Sequence, residues 1–172
     1  MDFNTFDNRE IAFYNLQDLS MLKKRAEESP ERRARICLHE SPDQIVHLMI
    51  IAMCKDSYVQ PHRHPAGKPE SYQMIEGLLD VLFFDDRGNI IRRIEMGAPE
   101  TGKTFIYRQS GRIWHRPAPR TELVLFCETF RGPFFKEQDG TIRLQPANPE
   151  YPPIIVKNCQ VQGVITGVLR NY

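Results

Sequence analysis

From Gln44 onward the chain consists of short apolar runs broken by turn residues, and this pattern limits the fold more than any other feature of the sequence. It indicates two hairpins: residues 81–84 and 90–94 flank the turn 85–88, and residues 134–135 and 141–144 flank the turn 138–140. Both turns contain Asp and Gly, which tolerate a positive φ. Short strands separated by such turns are typical of a β-sandwich or β-barrel. The pattern therefore predicts an all-β fold.

The two ends of the chain differ from this β-rich middle. Residues 15–29 repeat apolar side chains along one helical face, Asn15 and Asp18 are spaced as an N-terminal cap, and Pro30 follows. This pattern predicts one short N-terminal helix. The C-terminal third of the chain holds seven of the thirteen prolines. Such proline content favours an extended tail over a helix.

The domain organisation follows from the length and from the lack of a linker. A chain of 172 residues falls in the range of one globular domain, and we find no internal repeat and no Gly/Ser-rich segment joining two apolar cores. The sequence predicts a single domain over residues 1–172. Within it we expect an N-terminal extension at 1–43, a barrel core at 44–131, and a C-terminal hairpin and tail at 132–172.

Charge and cysteine content exclude some partners. The 23 Lys and Arg residues nearly balance the 22 Asp and Glu residues, so no global attraction to nucleic acid or to an anionic membrane is expected. No segment approaches the ~20 apolar residues that a membrane span needs. The four cysteines form no C-x-x-C pair, and nothing resembles a signal peptide. We expect reduced thiols and a cytoplasmic location.

The most informative stretch is residues 61–70, PHRHPAGKPE. If His62 and His64 lie on a strand, their imidazoles point to the same side, because strand side chains alternate. A loop rich in Pro and Gly then allows Glu70 to bring a carboxylate to the same point. Nitrogen and carboxylate ligands suit Zn, Fe, Mn, Ni or Co. The spacing therefore predicts a site for one divalent transition metal ion.

His115 is the natural fourth ligand, because it lies on a later predicted strand whose return, residues 122–128, is also β-like. Three imidazoles and one carboxylate leave coordination positions for water or substrate. Other interpretations stay open. Glu70 could orient a histidine instead of binding the metal, His115 could be a half-buried structural histidine, and His62 and His64 could be surface histidines. His39 and His47 have no spacing partner, and we assign both to structure.

These residues resemble the cupin superfamily and, within it, the WbuC-type cupin-fold metalloproteins. The likeness extends from about residue 33 to residue 131. It rests on the H-x-H motif, on Glu70 followed after six residues by Gly77, and on residues 57–64 and 68–70. The resemblance implies a double-stranded β-helix, commonly dimeric, with the metal inside the barrel mouth. The ligands that it implies are His62, His64, Glu70 and His115.

The same resemblance suggests a function. WbuC-type genes are often found among those for O-antigen and surface-polysaccharide synthesis, which implies a sugar-related role. We therefore expect a metal-binding cupin, a metalloenzyme acting on a small polar or sugar-related molecule, with oxygenase, isomerase and lyase chemistry all open. Two alternatives remain: a non-catalytic module that binds or senses a ligand, and a metal-free sugar epimerase or isomerase. A homodimer is expected.

Candidates for catalysis and for substrate binding come from the neighbourhood of the metal motif. The candidate general acids or bases are Tyr72, Glu76 and Tyr107. Tyr72 and Met74 alternate with Glu70 along the predicted strand and should line the cavity. Lys68, in the loop at the barrel mouth, is the candidate contact for an anionic ligand. The expected partner is a small molecule bound by Lys68, Tyr72 and Met74.

Overall fold

The structure is a computed structural model that describes residues 3–132 and the backbone of two further short strands. The chain divides into two compact units, Met1–Gly132 and Pro133–Tyr172. The prediction that the whole chain forms one domain stays a prediction.

The described part of the first unit contains one α-helix, one short 3₁₀ turn and nine strands. In chain order these are β1 (Asn4–Phe6), α1 (Leu16–Glu28), β2 (Arg33–Cys37), β3 (Val46–Cys54), β4 (Glu70–Glu76), β5 (Leu78–Phe84), β6 (Ile90–Gly97), the 3₁₀ turn Pro99–Thr101, β7 (Ile106–Gln109), β8 (Trp114–Pro119) and β9 (Leu123–Arg131).

The second unit is described only as an antiparallel pair of strands, β10 (Ile142–Leu144) and β11 (Ile154–Val156). The first strand of the predicted second hairpin, residues 134–135, and most of the predicted tail lie outside the described residues.

The strands of the first unit form two sheets. One has six strands in the order β1-β2-β3-β9-β4-β7, and the other has three in the order β6-β5-β8. All the strand pairs are antiparallel except β1 with β2. The main hydrophobic core takes residues from both sheets, for example Met49 and Phe126 from the larger and Val81 and Phe83 from the smaller. This is the predicted all-β, cupin-type jelly roll, in which the core lies between the sheets.

The N-terminal helix covers the outer face of the larger sheet. Leu22 and Ala26 are buried against β2 and β3 in a second, smaller apolar cluster. Asn15 caps the helix through the amide groups of Gln17 and Asp18, and the Asp18 carboxylate accepts a hydrogen bond from the Asn15 amide. The sequence prediction of a capped helix is therefore confirmed. No helix among the described residues is long and apolar enough to cross a membrane.

The predicted hairpin between β5 and β6 is confirmed. Val81 pairs with Ile94 across it. In the turn, the Asp85 carboxylate accepts hydrogen bonds from the backbone amides of Arg87 and Asn89, and Gly88 adopts a φ of +85°. Asp85 and Gly88 thus do what makes these residue types a hairpin signal: the Asp side chain accepts turn hydrogen bonds, and Gly adopts a positive φ.

Strand β9 sets the lateral positions of the interior side chains, because it pairs with both β3 and β4. Its Phe130 lies opposite Glu70 on one side and His47 on the other. Two residues earlier, Glu128 lies opposite Tyr72. The β-ladder therefore stacks the interior side chains in layers, and the layer that contains Glu70 is the one that reaches the candidate site.

Candidate metal centre

The four predicted ligands come together in the folded chain. One ligand atom from each of His62, His64, Glu70 and His115 lies within 4.8 Å of the others. Glu70 is the first residue of β4 in the larger sheet, and His115 lies on β8 in the smaller sheet. The two remaining histidines precede β4. The cluster thus joins both sheets at the barrel interior.

The segment that carries His62 and His64 is not the strand that the sequence predicted. Only His62 forms a β-bridge, with His115, through reciprocal backbone hydrogen bonds of 2.9 and 2.8 Å. Beyond the bridge the pairing loses its register, because the His64 carbonyl oxygen accepts from the Arg112 amide and not from residue 113, the in-register partner. The two imidazoles still face a common point, with ring centroids 5.4 Å apart. The geometry comes from the bridge rather than from a regular strand.

Backbone carbonyl groups orient two of the imidazoles. His62 Nδ1 lies 3.0 Å from the Gln60 carbonyl oxygen, and His115 Nδ1 lies 3.1 Å from the Ile113 carbonyl oxygen. A carbonyl can only accept, so both Nδ1 atoms donate and each Nε2 keeps its lone pair. Metal-binding histidines are commonly fixed in this way through the nitrogen that does not bind the metal. The tautomers of both rings suit coordination through Nε2.

Glu70 is fully buried, with 1% of its surface exposed, as is His115 with 0%. Its two carboxylate oxygens each lie 2.9 Å from an imidazole Nε2, one from His64 and one from His115. Burial alone would raise the pKa of Glu70, but its close contacts with the His115 and His64 imidazoles outweigh it and hold the pKa below its usual range. The carboxylate is therefore charged in the interior and suited to a cation.

The position of Glu70 bears on whether it binds the metal or orients a ligand. A carboxylate that orients a metal-bound histidine contacts the ring nitrogen turned away from the ion. In His115 that nitrogen is bonded to the Ile113 carbonyl, and Glu70 contacts the other one. This arrangement favours Glu70 as a direct ligand.

Two of the three candidate acids or bases lie at the cluster. The Tyr107 hydroxyl donates to Glu70 at 3.3 Å, and Tyr72 packs edge-on against Tyr107 with ring centroids 5.2 Å apart. Burial raises the pKa of both phenols, so both stay protonated as hydrogen-bond donors at neutral pH. Glu76 lies elsewhere: it is exposed and forms an ion pair of 2.5 Å with Lys23 of α1. An irregularity in the β4–β9 pairing between Met74 and Glu76 breaks the alternation that places Glu70, Tyr72 and Met74 on the interior face.

The candidate substrate contacts have different environments. Tyr72 and Met74 are buried in the interior core, as their alternation with Glu70 predicted. Lys68 is half-buried in the loop before β4. Burial, together with the charge of Arg131, lowers the pKa of its ammonium group.

Sequence reasoning missed two polar interior residues. The Gln109 amide donates to Glu70 at 2.9 Å and lies within 3.0 Å of both ring nitrogens of His115. Glu128 is half-buried on the interior face of β9, between two buried phenylalanines. Burial, with a contribution from the Glu70 charge, raises the pKa of Glu128 to about 8. The sequence signal for Glu128 was a charged residue on β9 whose neighbours two positions away on either side, Phe126 and Phe130, are apolar.

Fold and site together define a cupin-type barrel with a candidate metal centre of three histidines and one glutamate. Residues 14–96 match the model of a family described as a domain of unknown function, DUF6016.

Curated relatives match over a short stretch only. The LexA repressor of Clostridium perfringens (strain SM101 / Type A) is 54% identical over 39 residues, which are 23% of this chain and 19% of the repressor. The LexA repressor of Clostridium tetani is 56% identical over the same length and share of each chain. The chain thus spans about a fifth of the length of these relatives.

Solved structures that align with this chain include a transcriptional regulator and a cupin superfamily protein. An HTH_3 family transcriptional regulator from Vibrio cholerae aligns with a TM-score of 0.48 and 18% identity over 68% of this chain and 61% of that one. KdgF from Halomonas sp. gives 0.43 and 15%, over 74% and 93%. A cupin superfamily protein from Desulfitobacterium hafniense gives 0.45 and 11%, over 58% and 76%.

Proposed function

We propose that this protein is a metal-binding cupin that holds one divalent transition metal ion through His62, His64, Glu70 and His115. The observation that carries the proposal is the convergence of four ligand atoms within 4.8 Å around a buried carboxylate. Three imidazole nitrogens and one carboxylate oxygen suit Zn, Fe, Ni, Mn or Co. Such an ion keeps at least one position for water or substrate.

We further propose that the protein is an enzyme of the WbuC type, acting on a small polar or sugar-related molecule in surface-polysaccharide synthesis. The support is the motif likeness over residues 57–64 and 68–70, and two tyrosines that contact or adjoin the buried Glu70. The bound metal would supply Lewis-acid or dioxygen chemistry. The Tyr107 hydroxyl is placed to hold a proton beside Glu70. A homodimer and a cytoplasmic location belong to the same proposal.

The test is elemental analysis of the untagged protein beside a variant with His62→Ala and His64→Ala. The matched control is His39→Asn, which removes an imidazole outside the cluster and keeps a donor to the Leu48 carbonyl. Near-stoichiometric metal in the wild type and the control, lost in the double variant, supports the proposal. Metal that persists in the double variant contradicts it. Circular dichroism of all three proteins shows whether each is folded.

The identity of the metal directs the substrate search. Iron would favour oxygen chemistry, whereas zinc or nickel would favour isomerase, lyase or hydrolase chemistry. A wild type that takes up none of the five ions would overturn the metal centre. The half-buried His64, paired with the buried Glu70, would then be assayed as the base of a sugar epimerase.

A further inference from the structure

Glu128 is a second carboxyl group on the barrel interior, and the proposed metal centre does not use it. It lies on β9 between Phe126 and Phe130, which are 1% and 3% exposed. It makes no hydrogen bond or ion pair within residues 3–132, and it interacts electrostatically with Glu70, Arg35, Tyr72 and Tyr107. A carboxyl group placed among apolar side chains without a hydrogen-bond partner costs stability. Folding stability therefore does not explain why a carboxyl group occupies this position.

Glu128 is more exposed than the residues that face it across the strands. Its cross-strand partners, Met49 on β3 and Tyr72 on β4, are 3% and 2% exposed. Glu128 itself is only half-buried. A side chain that stays accessible between fully buried neighbours can reach a molecule that enters the barrel.

The register gives the offset along the strands between Glu128 and the candidate ligand Glu70. Glu70 pairs with Phe130, and Glu128 lies two residues before Phe130 on the same face. Two residues along a strand correspond to about 6.6 Å. A ligand with one oxygen on the metal would therefore place a group about 6–7 Å further along at Glu128.

We infer that Glu128 forms the inner half of a ligand site for a polyhydroxylated small molecule, whose outer end binds the metal and whose distal hydroxyl group hydrogen-bonds to Glu128. The inference rests on the proposed metal centre. We infer a hydroxyl group at this end of the ligand because the surrounding side chains, Met49, Phe126 and Phe130, are apolar and would not stabilise a charged group. A carboxyl group also hydrogen-bonds a hydroxyl in either protonation state. The ligand spans the length of a six-carbon sugar acid.

The test compares two probes of the same length, gluconate and hexanoate, which differ in their hydroxyl groups. Each is titrated calorimetrically into nickel-loaded wild type, Glu128→Gln and Glu128→Leu, and the nickel content is measured before and after titration. We expect the wild type to bind gluconate at least about tenfold more tightly than hexanoate, the effect of one or more buried hydrogen bonds. Glu128→Leu should lose this preference, and Glu128→Gln should keep most of it.

The readouts separate the two proposals. Nickel content should be the same in all three proteins, because Glu128 is not a metal ligand. Equal binding of both probes by the nickel-loaded wild type, or a gluconate preference that survives in Glu128→Leu, would overturn the inference and leave the metal centre intact. Failure of the wild type to load nickel or any of the other four ions overturns the metal centre itself. Should Glu128→Leu fail to fold, Glu128→Met serves in its place.

Discussion

Arg63 places its guanidinium carbon 4.7 Å above the ring centroid of Trp114. Both side chains also contact Asp86 in the β5–β6 turn: the indole N–H donates to it at 3.0 Å, and Arg63 pairs with it at 3.3 Å. Arg63 lies between two candidate ligands in the sequence, and Trp114 directly precedes a third. The contact therefore joins residues 61–69, the ligand loop that carries His62 and His64, to β8. It lies on the outside of the barrel, opposite the imidazoles.

Arg63→Ala should weaken metal binding without abolishing it. A cation–π contact at an exposed site is worth roughly 0.5–1 kcal/mol, and removing a group that positions ligands typically lowers metal affinity about tenfold or more. We expect a loss of about three- to tenfold in a competition titration against a chelator. Arg93→Ala, which removes an arginine paired with Asp80 in the three-stranded sheet, is the control. Equal losses in both variants would show that the Arg63 contact has no special role.

Gly111 packs closely against the backbone of the same loop. It has a φ of +87°, and a Cβ atom there would lie 2.8 Å from the Pro65 carbonyl oxygen and 3.0 Å from that of Lys68. Gly88 has a similar φ of +85° with nothing within 4 Å of the corresponding position. An alanine would therefore bring similar backbone strain at both positions, but it would also bring a steric clash at Gly111 and none at Gly88.

Gly111→Ala should therefore lower both stability and metal affinity, whereas Gly88→Ala should lower stability alone. The backbone strain costs on the order of 1 kcal/mol in each case. The additional contact in Gly111→Ala must displace the loop that carries two ligands. Thermal unfolding measures the first effect and chelator competition the second. Wild-type metal affinity in Gly111→Ala would refute the idea that this close approach positions the ligand loop.

Local signals account for the features that the sequence predicted well. The helix was predictable because Asn15 and Asp18 form its capping box, and the β5–β6 hairpin because its turn contains Asp and Gly at the required positions. His62, His64 and Glu70 were found because their residue types have few alternatives at such spacing, and His115 was found from its context and the resemblance to cupins. Each of these signals is contained within a few residues of chain, or in a recognisable motif.

Features set by distant strand pairing were missed. Gln109 reaches Glu70 because β7 pairs with β4, and Glu128 faces Tyr72 because β9 pairs with β4. No local pattern gives these registers, since they depend on how strands far apart in the chain align. Glu76 was misplaced for the same reason, because the irregularity in the β4–β9 pairing cannot be read from β4 alone.

Metal binding should weaken in acid, because imidazole must be neutral to bind. The free imidazole pKa is about 6.5. Burial, and then the nearby His115, lower the pKa of His62, so this ligand stays neutral below that value. We expect retention near pH 6 and release by about pH 4.5, two units below the free value. Dialysis across this range followed by elemental analysis measures it, and undiminished metal at pH 4.5 would argue against histidine ligands.

His39 and His47 form a stacked pair outside the candidate site that should make stability depend on pH. Their ring centroids are 4.1 Å apart, between Phe6 and Phe130. Burial lowers the pKa of both, and at His47 the charge of His39 lowers it further. In the unfolded chain both titrate near 6.5, so the unfolded state binds more protons once the pH falls below about 6.5. The free energy of unfolding is therefore highest above this pH and decreases below it.

A variant with His39→Asn and His47→Gln should flatten this dependence. The two amides keep donors toward the Leu48 and Pro42 carbonyl oxygens but cannot take up a proton. Urea unfolding of the metal-free proteins from pH 7.5 to 5 should show the wild type losing on the order of 1 kcal/mol more than the variant. The comparison cancels the contribution of the three site histidines, which both proteins keep. Parallel curves for the two proteins would mean that the stacked pair accepts protons in the folded state as readily as in the unfolded one.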